Sequence, residues 1–157
     1  MLNHPMRRAK NQITDPSEME HVIRSARVMR LAMCLDDEPY VVPMSFGYDG
    51  ASIFLHCAQD GLKLDILRRN PRVCCLFEHG LAFEPKGDSP CAWGFAYATV
   101  IVHGVAGPIT DPAEKLAALQ IITDQYSANG ERVPADKIEK VEVWKIGILE
   151  MAGKRAG

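Results

Sequence analysis

The segment FLHCAQDGLKLDIL, residues 54–67, carries His56, Cys57, Gly61 and Lys63 within a single strand-to-helix connection. If Asp60 or Gly61 opens a helix, its first N–H groups have no intrahelical partner and carry partial positive charge. Lys63 then lies in the first turn, where the helix dipole disfavours a cation. A bound phosphate would reverse that preference by using the amides and the ammonium together. On spacing alone a solvated surface lysine fits equally well, because one Gly-x-Lys is a weak motif. His56 reads either as a half-packed strand-end residue or as a group that meets a substrate. No Ser-His-Asp or Cys-His pairing is fixed by spacing.

A second stretch with chemical potential is YVVPMSFGY, residues 40–48. Pro43 removes a ladder donor from an otherwise strong strand, which predicts an edge or a bulge. Free backbone groups at such an edge could bond a flat heterocycle, or the proline could simply guard the edge against aggregation. Trp93, His103 and Trp144 read first as packing residues. The five cysteines (34, 57, 74, 75 and 91) are odd in number and lack framework spacing, so reduced and mostly buried thiols are expected. Neighbouring Cys74-Cys75 and His56-Cys57 would point to opposite faces of a strand, and no metal-ligand spacing occurs.

The elements that must position these residues follow from local signals. ITDPSE (13–18) and ITDPAE (109–114) both read as helix starts, with Asp at the N-cap, Pro at the first position and Glu as in a capping box. Helices are predicted from about Pro16 to Ala26, across 61–70, and from Pro112 to about Ser127. Strands are predicted at 28–35, 40–48, 52–57, 72–78, 93–107 and 140–151, with a Gly- and Pro-rich loop over 79–91. The last strand alternates on two phases, Val141 and Val143 against Trp144, Ile146 and Ile148, which a bulge near Val143 would reconcile. Hairpin succession argues for an antiparallel sheet able to close as a barrel, and against a Rossmann domain.

The 157 residues suit one domain, 1–157, with residues 1–12 as a flexible N-terminal arm. Apolar residues make up 47% and charged residues 24%, as in ordinary soluble globular proteins. The net charge of −2, from 18 basic and 20 acidic residues, gives no general drive toward nucleic acid or anionic membrane. No secretory signal and no run near the roughly 18 apolar residues of a membrane span is present, which makes the cytoplasm the expected compartment.

Taken together, RVMRLAMCLDDEPYVVPMSFGYDGASIFLHCAQDGLKLDILRRNPRVC (27–74), CAWGFAYATVIVHGVAGPITDPAEK (91–115) and ILEMAGKR (148–155) resemble the flavin-binding split-barrel superfamily that includes pyridoxamine 5′-phosphate oxidase. Within it they look most like the nitroimidazole-resistance, or nitroimidazole reductase, branch. The resemblance implies a mainly β fold with peripheral helices: a six-stranded antiparallel split barrel, dimeric, with flavin mononucleotide (FMN) at the subunit interface. By analogy Lys63 would pair with the FMN phosphate, helped by amides near Gly61 and Leu64. The backbone of Pro43, Met44, Ser45 and Phe46 would face the isoalloxazine ring. Trp93, Tyr97 and Thr99 would complete the pocket from the partner subunit, and His56 would contact substrate. Where that branch often has Arg then Ser after the tyrosine, this chain has Ala98-Thr99. It also lacks the C-terminal Trp- and Arg-bearing segment of true pyridoxamine phosphate oxidases, which argues against vitamin B6 oxidation.

The implied activity is an FMN-dependent reductase that uses NADH or NADPH as a transient donor and a nitroaromatic or quinone as acceptor. Two alternatives stay open: a non-catalytic flavin-binding or storage protein, and a haem-binding split barrel with His56 or His103 as axial ligand.

Overall fold

The structure, a computed structural model, describes residues 5–157. In chain order its elements are β1 (Gln12–Ile13), α1 (Pro16–Ser25), β2 (Met29–Leu35), β3 (Glu38–Met44), β4 (Gly47–Tyr48), β5 (Ser52–Cys57), α2 (Leu62–Arg69), β6 (Arg72–Glu84), β7 (Gly94–Pro108), α3 (Pro112–Asp124) and β8 (Glu142–Ala156). All strands pair antiparallel in the order β3-β2-β6-β7-β8-β5-β4, with β1 added to β8. The six expected strands are present, and the two extra ones are only two residues long.

The expected strand over 40–48 is broken. β3 and β4 are consecutive in sequence yet occupy opposite ends of the sheet order, and Ser45-Phe46 carry the chain across the gap between them. The sheet thus curls until its two edges meet in one continuous segment, which is the split of the barrel. Pro43 sits on β3, an edge strand paired only with β2, where a missing donor costs nothing on the open side.

Alternation places Leu31, Met33, Ile53, Leu55, Cys75, Phe77, Val100, Val102 and Ile146 in one buried core, which α2 caps with Leu64 and Leu67. A second cluster, Phe54, Ile109, Leu119, Ile122 and Val143, lies under α3. These two cores correct the expected bulge at Val143. β5 pairs with Glu142–Gly147 without interruption, so Val143 and Trp144 simply face different cores. The irregularity of β8 lies further on: His103 opposes Glu150 and Gly104 opposes Ile148, which leaves exposed Leu149 as the extra residue.

The predicted loop over 79–91 begins too early. β6 continues to Glu84, and Gly80-Leu81 bulge opposite Tyr97, between the pairs His79–Ala98 and Ala82–Ala96. Gly80 takes φ +65°, as such a bulge requires, so the glycine marks a kink within the strand rather than its end. Both predicted N-caps form, Asp15 accepting from the Ser17 amide and Asp111 from the Glu114 amide at 2.9 Å each. Glu18 turns outward to pair with Arg155 on β8. α3 ends at Asp124, one turn earlier than expected. Gln12, the last residue of the expected N-terminal arm, and Ile13 just after it pair with Lys154 and Gly153; residues 1–4 of that arm lie outside the described residues. Of the cysteines, which the sequence reading expects mostly buried, only Cys75 is fully so; Cys34 and Cys91 are exposed. No helix among the described residues is long and apolar enough to cross a membrane.

Candidate functional site

The connection between β5 and α2 supplies the centre of the site. Gly61 is the N-cap of α2, at φ +117° and ψ 161°, a region that residues with a Cβ rarely enter. Among the described residues no side chain caps the helix there, and a Cβ built on Gly61 would meet nothing within 4 Å. The turn is held from outside: the Gln59 side chain donates to the Glu139 carbonyl at 2.6 Å, on the short 3-10 segment Ala135–Lys140. Leu64 is fully buried, and its amide donates to the Gly61 carbonyl at 2.9 Å. The amides that helix geometry leaves open to an anion are therefore those of Leu62 and Lys63, which lie between Gly61 and Leu64.

Lys63 reaches from the first turn of α2 toward the barrel split, where its Nζ lies 3.1 Å from Met44 Sδ. No carboxylate among the described residues pairs with it. A thioether is a weak acceptor, so this ammonium keeps most of its capacity for a stronger one. Met44 is nearly buried, and Ser45 beside it is exposed with no hydrogen-bond partner among the described residues. Phe46 is different. It is fully buried, and its amide donates to the Tyr126 hydroxyl at 3.0 Å. With Pro43 lacking an N–H and the Phe46 amide engaged, Ser45 is the residue of this stretch best placed to give a backbone bond to a ring edge.

His56 sits on β5 opposite Val143, half-buried, with Cys57 next to it. Burial holds the imidazole below its ordinary range, and the nearby Lys63 charge pushes in the same direction. Burial raises the Cys57 thiol, against the opposing pull of Lys63. His56 is consequently a neutral donor and acceptor near pH 7, and Cys57 stays a thiol.

The remaining expected residues lie elsewhere. Trp93 is exposed at the start of the β7 hairpin arm, edge-on to Phe83, with Nε1 3.4 Å from the Gly87 carbonyl. Tyr97 lies under the Lys154 ammonium, and the Thr99 hydroxyl donates to the Lys154 carbonyl at 3.3 Å. On β8, Val143 pairs with His56 and Lys154 with Thr99. These two positions are eleven residues apart, about 36 Å along an extended strand. One chain therefore does not bring Trp93, Tyr97 and Thr99 to His56 and Lys63. Tyr126 lies near the end of the helix predicted over Pro112 to about Ser127, and its bond to Phe46 was not legible there, since nothing local links residues eighty positions apart. The orphan status of the Leu62 amide was legible in principle from the helix start.

The Pyridoxamine 5′-phosphate oxidase family profile matches residues 15–155. The chain belongs to that family. A candidate 5-nitroimidazole antibiotic resistance protein from Bacteroides thetaiotaomicron is 30% identical, with 92% of this chain and 86% of that one covered and a TM-score of 0.80. A FAD-binding protein from Mesorhizobium loti shares the fold at 23% identity, covering 93% of this chain and 97% of the other, with a TM-score of 0.68. An uncharacterised protein of Rhizobium meliloti (strain 1021) is 32% identical over 62 residues, and that match spans 40% of each chain.

Proposed function

We propose that this protein is a flavin-dependent oxidoreductase. In this reading it holds FMN between two copies of the chain. It reduces a small acceptor, a 5-nitroimidazole-type nitroaromatic or a quinone, with electrons from a visiting NADH or NADPH. The observation that carries the reading is Lys63, an ammonium in the first turn of a helix, beside two amides without helical partners, with a sulfur where a carboxylate would be expected. A phosphate dianion satisfies all three donors and removes the unfavourable alignment of cation and dipole. The kinship with a candidate nitroimidazole-resistance protein and the FAD bound by a structural relative support the choice of a flavin phosphate.

A flavin held there supplies the electron transfer. The chain supplies the rest: Lys63 and the Leu62 and Lys63 amides anchor the phosphate, and Ser45 in the split offers a donor to the ring. Neutral His56 presents one N–H and one free ring nitrogen to an acceptor. The distance between the two halves of the expected site supports a homodimer, in which the Trp93–Thr99 arm of one copy lies against the His56–Lys63 turn of the other.

The test is an absorption spectrum of the purified protein. Oxidised flavin gives bands near ~375 and ~450 nm, bleached by NADH or NADPH and restored by a nitroimidazole or a quinone. A colourless protein that takes up no added FMN, or one with a haem Soret band alone, would overturn the reading. Flavin that no nicotinamide reduces would point to the storage alternative. Co-expressing Lys63→Ala and Tyr97→Ala chains tests the shared site: each alone is impaired, and random mixing restores about one site in four.

A further inference from the structure

An open cavity of about 540 Å³, with neither Lys63 nor His56 in its lining, lies where the N-terminal segment, the β6–β7 hairpin arm and the end of β8 meet. Its lining is unlike the rest of this acidic chain. Arg8, Lys10, Lys86 and Arg155 supply four cations, and Trp93 and Phe95 supply exposed aromatic surface, 46% and 52% accessible. Lys86 is paired with Glu84 at 2.7 Å, and Arg155 with Glu18. Arg8 and Lys10 pair with no carboxylate among the described residues. Unpaired cations beside exposed π-faces match a ligand that is both anionic and flat: phosphate oxygens for the cations, a purine for the indole and phenyl rings. Four separate chain segments build the cavity, so its shape depends on the completed fold.

We propose that this cavity binds the adenosine-phosphate half of a redox dinucleotide. That half could belong to a flavin adenine dinucleotide or to the nicotinamide donor. The match to an adenine nucleotide stands on the cavity alone, while its assignment to a redox dinucleotide rests on the flavin reading above. Trp93 is shared by the two proposals, because it also heads the arm expected to reach the flavin of a second copy.

Calorimetric titration of the intact protein with AMP and with 2′,5′-ADP tests this, with Trp93 fluorescence as a second readout. The other tryptophan, Trp144, is 3% exposed and insensitive to an outside ligand. Binding with quenching is expected, weakened roughly tenfold or more in the Arg8→Ala, Lys10→Ala double variant. Both residues are exposed, so that variant folds. Tighter binding of 2′,5′-ADP than of AMP identifies a phosphorylated nicotinamide donor as the source. If instead the double variant weakens FAD and leaves FMN untouched, the source is the flavin's own tail. No binding of either nucleotide at millimolar concentration, or binding that the double variant leaves unchanged, overturns the proposal. Lys63→Ala separates the two readings. Loss of FMN with AMP binding intact supports both, and retained FMN sinks the phosphate site while AMP binding is judged separately.

Discussion

Lys63 Nζ lies 3.1 Å from Met44 Sδ, so a helix-terminal cation on α2 touches the last residue of β3 at the barrel split. The contact joins the proposed phosphate end of the site to the segment proposed to meet the ring. A charge-assisted bond to phosphate contributes about 1.5–3 kcal/mol. Lys63→Met should therefore weaken FMN binding roughly ten- to a hundredfold with little change in melting temperature. Calorimetry with FMN and with riboflavin checks it, since riboflavin lacks the phosphate and should be almost indifferent to the change.

Tyr126 holds the other side of the split. Removing its hydroxyl in Tyr126→Phe leaves the Phe46 amide buried without a partner, at a cost of about 1–3 kcal/mol. Reduced stability to denaturant and weaker flavin binding are expected together, because the amide fixes the path of Ser45. Unchanged flavin affinity would show that Ser45 does not depend on this clamp.

Protonation of His56 should be unfavourable in the fold, first through burial and then through Lys63. The unfolded imidazole titrates near ~6.5 and the folded one lower, so the folded chain binds fewer protons between those values. Stability from this group is complete above ~6.5 and is lost as pH falls through the folded value. His56→Gln should flatten that part of the acid limb. In Lys63→Met the imidazole NMR titration should move upward yet stay below ~6.5, since burial remains.

Gly47 on β4 lies directly against α3: an added Cβ would stand 2.6 Å from the Ile122 backbone nitrogen. A helix backbone cannot yield as a side-chain tip can. Gly47→Ala should cost about 1–3 kcal/mol or more, seen as a lower denaturant midpoint, and should separate α3, with Tyr126 just beyond it, from the split.

The order of strands and helices, both Asp-Pro helix starts and the glycine-led start of α2 at Gly61 were legible in the sequence. Periodicity, capping and glycine conformation are local, and a few neighbouring residues decide them. The sequence reading went wrong where both faces of a strand are covered. Val143 and Trp144 looked like a broken alternation because a one-dimensional pattern assumes a single core. It also ended β6 at Glu78, two residues before Gly80, which instead sets a bulge opposite Tyr97. Tertiary structure alone decided that Met44 meets Lys63, that Tyr126 clamps Phe46, and that Arg8 and Lys10 join Trp93 around one cavity. Those relationships span distant parts of the chain, and only closure of the barrel brings them within reach of a hydrogen bond or a shared ligand.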